Sequence, residues 1–202
     1  MSTVKQKTLR LVQLGLLAGL IILLQMYLII PLPGSLTLSL VLVPIVVGAV
    51  LYGPGAGALL GGVFGALVSI MALQGQLGAL TNMMVAYNPA LTVAVCMLKG
   101  VAAGFVPGLI AKAFKKRSFV GILLAAASAP IMNTGIFLAG MLTIFRDVMM
   151  EFAAGIGMGG TSALYFAVVA LVGVNFIIEF AANLILSPAI ASIVKAVKKI
   201  GK

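Results

Sequence analysis

The sequence has no histidine and no tryptophan, one cysteine and three acidic residues in 202 positions. Each shortage closes a class of chemistry. Without histidine there is no imidazole base, no Ser-His-Asp triad and no H-E-x-x-H zinc motif. The lone cysteine, Cys96, excludes an internal disulfide. Three carboxylates, Asp147, Glu151 and Glu179, are too few for a di-metal carboxylate centre. No G-x-x-x-x-G-K-[ST] stretch is present, so the chain does not hydrolyse ATP by a P-loop mechanism, and no filter sequence or ring of charge marks a channel. The expectation is a non-enzyme, with no catalytic residues, no metal and no cofactor.

What the chain has is apolar length. Hydrophobic residues make up 63% of it, where soluble domains hold about 45–50%, and the mean hydropathy is +1.29. Runs of about 20 apolar residues match the length a helix needs to cross a hydrocarbon core about 30 Å thick. Alternating barrel-type strands are absent, so the expected fold is an all-α integral membrane bundle. The first run continues past Gln25 to Ile30 without a small-residue cleavage site, and is expected to remain as a span.

The net charge of +10 invites a nucleic-acid reading that the positions of the charges contradict. Lys5, Lys7 and Arg10 precede the first apolar run; Lys112, Lys115, Lys116 and Arg117 form one loop; Lys195, Lys198, Lys199 and Lys202 end the chain. Eleven of the thirteen basic residues therefore mark one side of the membrane, which the positive-inside rule makes cytoplasmic. The expectation is one domain, residues 1–202, with spans at about 9–30, 36–51, 56–73, 89–114, 119–142 and 161–194 and both termini cytoplasmic. Pro44 lies in the body of the second span and predicts a kink there. Residues 74–88 and 143–160 become external loops, the second ending in the glycine-rich stretch Gly155 to Gly160. Gly57, Gly61 and Gly65 leave one face of the third span without side chains, which suits tight helix packing better than ligand contact.

Polar residues inside the spans carry the functional signal. Asn175, Glu179 and Asn183 are four apart in the last span, so they stack on one stripe that must face protein or a cavity. Glu179 is the one carboxylate placed within a span. In the fourth span Thr92, Cys96 and Lys99 point roughly one way, with Lys99 near mid-membrane. Two roles stay open for Lys99: an ion pair with Glu179, or a counter-charge for an anionic ligand. Ser128, Pro130, Asn133 and Thr134 interrupt the middle of the fifth span, where they satisfy freed backbone groups or face a cavity. A small polar chamber under external loops suits capture of a small molecule better than catalysis.

Residues 40–54, LVLVPIVVGAVLYGP, followed by residues 57–65, GALLGGVFG, resemble the membrane-embedded substrate-binding components of energy-coupling-factor (ECF) vitamin transporters. The resemblance covers nearly the whole chain and is most similar to pantothenate-type members. It implies a subunit of the prokaryotic plasma membrane that binds a vitamin from outside, then associates with a transmembrane coupling protein and two ATPases. It also implies a ligand in the outer half, under the loop between spans one and two, with side chains from spans four to six. The positions carried over are Asn82, Tyr87, Asn88, Lys99, Asn133, Asn175 and Glu179. Gly15 and Gly19 match the span-one docking motif, where alanines are more usual. Lys99-Gly100 stands where pantothenate-type members often carry arginine, and a buried cation suits a carboxylate; if Glu179 neutralises Lys99, an uncharged pyridoxine-like or pyrimidine ligand suits the site instead. The scarcity of aromatics argues against a large flat ligand such as riboflavin. Outside the resemblance, a proton-coupled secondary transporter working through Glu179 and a structural assembly protein remain alternatives, with an intramembrane enzyme the weakest.

Overall fold

The computed structural model describes residues 3–27, 30–32, 36–38, 40–114 and 119–200. Lys115, Lys116, Arg117 and Lys202, part of the basic pattern used for topology, lie outside them, as do Pro33 and Gly34 of the first turn. Among the described residues the regular structure is helical apart from one short hairpin. Helix α1 covers Thr3–Tyr27, earlier at both ends than expected. Strand β1 (Ile30–Leu32) then pairs antiparallel with β2 (Leu36–Leu38), with Pro31 opposite Thr37. The hairpin stands where the end of the first span and the start of the second were expected as helix.

Helix α2 is consequently short, Leu42–Tyr52, 11 residues or about 16 Å at 1.5 Å per residue, roughly half the hydrocarbon thickness. Its side chains are apolar on every face, and a helix of that kind is stable only when surrounded. Leu42, Ile45, Val46, Val47, Ala49 and Val50 are all buried, with α1, α3, α5, α6 and α9 packed around them. Because α2 begins at Leu42, Pro44 falls in its first turn, where backbone N–H groups have no intrahelical acceptor. The kink expected at Pro44 therefore has no cause. Gly53, at φ +89°, ends α2 in the left-handed region, and Pro54 opens α3 (Pro54–Leu73) at a position where its fixed φ favours a helix start.

Helices α3 and α5 (Pro89–Ala113) run antiparallel along a glycine seam. A Cβ on Gly57 would land on the Gly104 carbonyl oxygen, one on Gly61 on that of Gly100, and one on Gly65 would stand 2.9 Å from that of Cys96. The bare face of α3 thus meets a second bare face, Gly100 and Gly104, on α5. This close approach of two backbones fixes α5 axially and rotationally, and with it Lys99.

The expected external loops carry helices of their own: α4 (Ala79–Tyr87) and α7 (Arg146–Gly155). Helix α6 (Phe119–Thr143) lies between them in sequence. Leu80 and Met84 of α4, Phe145, and Val148, Met149 and Ala153 of α7 form a second apolar cluster with Phe166, apart from the one around α2. The last expected span is not one continuous α-helix. A three-residue turn α8 (Ala163–Tyr165) leads into a π-helical stretch, Phe166–Leu171, and then α9, Gly173–Ile200. Among the described residues five helices are long and apolar enough to cross a membrane, with α2 a shorter sixth apolar helix. At the opposite end of the bundle the Tyr52 hydroxyl donates to Gln13 Oε1, and the Arg10 guanidinium sits 5.5 Å over the Tyr52 ring, tying α1 to α2.

Candidate ligand cavity

A cavity of about 650 Å³ lies where α5, α6, the π-helical stretch and α9 diverge beneath α4 and α7. Its polar side chains come from four helices: Lys99 of α5, Asn133 and Thr134 of α6, Asn175 of α9, and Thr81 of α4 above. Apolar lining comes from Phe137, Phe152, Ile156, Met158 and Phe166 among others. Concave, mainly apolar sites with a few convergent polar groups are the usual form of a small-molecule pocket.

Local structure delivers each polar group. The glycine seam presses one face of α5 against α3, and Lys99 projects from another, with Nζ 5.3 Å from the centre of the Phe137 ring. A cation over a ring face is held by the ring quadrupole while its N–H donors stay available. Asn133 follows Pro130, which removes a backbone donor inside α6, and Asn133 and Thr134 turn to the cavity one residue apart. Asn175 sits just after the π-helical stretch. There the Val172 N–H bonds back five residues to the Ala167 carbonyl at 3.2 Å, and a Cβ on Gly173 would stand 2.8 Å from the Val168 carbonyl oxygen. Glycine at 173 thus lets the wider turn revert to α-helix with Asn175 directed inward.

The amide oxygens of Asn133 and Asn175 are buried and have no hydrogen-bond partner among the described residues. A buried acceptor without a partner costs about 1–3 kcal/mol, and a ligand donor or an ordered water relieves that cost. One cation, two amides and two hydroxyls around an apolar chamber are groups whose chemistry suits an anionic or hydrogen-bonding solute. Among the described residues no three His, Cys, Asp or Glu side chains cluster as metal ligands.

The other positions named from the sequence lie elsewhere. Glu179 is buried on α9, one turn beyond Asn175 and outside the lining of this cavity, and its main-chain oxygen accepts from Asn183 Nδ2 at 2.9 Å. Ser187 adds a fourth rung to the same stripe, buried like Asn183; the signal was the same four-residue spacing. Asn88 caps α5, accepting from the Leu91 N–H at 3.0 Å. Tyr87 is exposed, its ring edge-on to Phe145 at 6.0 Å. Asn82 is exposed on α4, its amide near the Gly75 turn. Thr92 and Cys96 are buried rather than lining the cavity with Lys99. The sequence carries no signal for Phe137, Phe152 and Phe166, which reach the cavity from three separate elements, α6, α7 and the π-helical stretch.

Gly15 and Gly19 are open: a Cβ on either would meet nothing within 4 Å. Leu11, Leu16 and Leu23 around them are well exposed, so this face of α1 is not used for packing among the described residues.

Comparison with curated proteins returns no match. The model of the family described as ECF transporter, substrate-specific component, matches residues 9–191, nearly the whole chain. With several membrane-length helices around a small-molecule cavity, the chain belongs to the family of ECF transporter substrate-specific components.

Proposed function

We propose that this chain captures a carboxylate-bearing micronutrient of the vitamin class at the outer face of a prokaryotic plasma membrane and passes it inward through an ATP-driven coupling module. Pantothenate is the first ligand to test, since the resemblance favours it and its carboxylate suits Lys99. In this reading Lys99 binds the anionic group, Asn133 and Asn175 bond its polar atoms, and Asn88 holds the start of the helix that carries Lys99. Asn82 and Tyr87 lie at the outer rim, and Glu179 sets the electrostatics one turn below Asn175. The hairpin and α2 together make the second of six crossings, which leaves both termini cytoplasmic. The partners are a transmembrane coupling protein, docked against Gly15 and Gly19, and two ATPases.

The observation that carries the reading is the convergence of Lys99 with two partnerless buried amide oxygens on one cavity of about 650 Å³. Mass spectrometry of the purified protein should find a copurifying acid. Lys99→Met should weaken its binding about 10- to 100-fold, the loss of one charge-assisted hydrogen bond. Unchanged affinity in a folded Lys99→Met protein refutes the role of the cation.

A further inference from the structure

Two close contacts fix the register of α6 against α5. A Cβ on Gly121, near the start of α6, would stand 2.6 Å from Phe114 Cβ at the end of α5, and one on Gly140 would stand 3.2 Å from Val95 Cγ2. The same number of residues separates the two contacts on each helix, so the helices run antiparallel with Val95 opposite Gly140. Four residues on along α5 and three back along α6 come Lys99 and Phe137, and Lys99 Nζ lies over the Phe137 ring at 5.3 Å from its centre. Asn133 and Phe137 are one turn apart on α6, so ring and amide stand side by side on the cavity wall. Phe137 also packs against the outer apolar cluster of Leu80, Met84, Phe145 and Met149, so the ring is held independently of Lys99. Among the described residues the cavity wall holds no Asp or Glu. The electron-rich group set against the ammonium is therefore a ring face, where a carboxylate would be the ordinary partner.

We propose that Phe137 is a positioning residue for ligand binding: its ring face holds the Lys99 ammonium in place for an incoming carboxylate and stays on the cation once the carboxylate is bound. The proposal rests on the Lys99 cavity being the ligand site and adds how its cation is aimed. A lysine stem carries about 2 kcal/mol of rotamer entropy, and a stem already held by the ring loses less of it on meeting the ligand. The ring attracts the cation without accepting its N–H groups in the plane of a lone pair, so those donors remain for the carboxylate on the other side. A wall carboxylate in the same place would neutralise Lys99 and compete with an anionic ligand. A ring leaves the positive charge in force. Both attractions grow as water is excluded, which suits an ammonium within a membrane bundle.

Fluorination draws electron density from a ring face while changing the ring's size little, so it separates the quadrupole from the packing. Phe137 is replaced in the full chain by mono-, di- and trifluorophenylalanine, and in parallel by leucine as Phe137→Leu. Each protein, in lipid nanodiscs, is titrated with radiolabelled pantothenate, with empty discs as background. Every added fluorine should weaken binding further, and Phe137→Leu should lose about 2- to 30-fold, the range of a cation–π contact. In a Lys99→Met background the same series should be flat, because no cation remains for the ring to hold. If Phe137→Leu fails to fold, the fluorinated series decides alone. Equal affinity across that series, in proteins that melt with the wild type, overturns the positioning role, while binding that still depends on Lys99 leaves the cavity assignment standing. A slope that persists in Lys99→Met overturns it too, since the ring then acts on the ligand itself. If the wild type does not bind pantothenate, or Lys99→Met binds it as tightly, the reading of the cavity falls and this inference with it.

Discussion

Replacing Gly61, Gly100 or Gly104 by alanine tests the organisation of the whole bundle with one methyl group. A Cβ on Gly65 would stand 2.9 Å from a carbonyl oxygen where ordinary contact begins near 3.4 Å, so α3 and α5 would have to separate by about 0.5 Å. At Gly57, Gly61, Gly100 and Gly104 the added atom falls closer still, and the obstruction is backbone, which no rotamer change can move. Forcing an extra methyl into such a packed contact costs about 1–3 kcal/mol. In an isolated helix the same change gains about 1 kcal/mol from backbone propensity. Gly15→Ala and Gly19→Ala supply the control, since a Cβ there meets nothing. Thermal unfolding in a single detergent should therefore rank the variants oppositely, Gly61→Ala and Gly104→Ala below the wild type and the α1 variants at or above it. Gly100→Ala should in addition weaken ligand binding, because Lys99 precedes it and is carried with the displaced helix. Equal melting temperatures for Gly104→Ala and the wild type would refute the seam, and lowered stability with normal affinity in Gly100→Ala would refute its link to Lys99.

Two further outcomes concern transport. Changing Gly15 and Gly19 together to Leu should leave ligand affinity intact and abolish uptake in cells that hold the coupling module; normal uptake at normal expression shows that this face of α1 is not where the partner docks. Reconstituted alone into sealed vesicles under a proton gradient, the protein should bind ligand stoichiometrically without accumulating it. Concentrative uptake by the isolated chain that Glu179→Gln stops would make it a secondary transporter and sink the ATP-driven reading.

The membrane class, the helical nature of the long spans and the polar positions Lys99, Asn133 and Asn175 were legible from sequence because each is local. Twenty apolar residues cross a bilayer as a helix wherever they sit, and a charge inside such a run is anomalous without reference to neighbours. What escaped was decided by partners distant in sequence. Residues 36–38 form a strand because residues 30–32 lie beside them, and α2 endures at 11 residues because five other helices surround it. Gly57 to Gly65 announced a packing face, but the identity of its partner, Gly100 and Gly104, depends on the antiparallel register of α3 and α5. The π-helical turn before Asn175 carries no periodicity of its own; Gly173 permits it without requiring it. The cavity is the least local feature of all, since its walls come from five sequence regions that meet only when the bundle closes. Sequence alone thus determined which side chains hydrocarbon would reject, while tertiary packing decided which of them share a chamber: Lys99, Asn133 and Asn175 do, and Glu179, a single helical turn further along the same stripe, stands outside its lining.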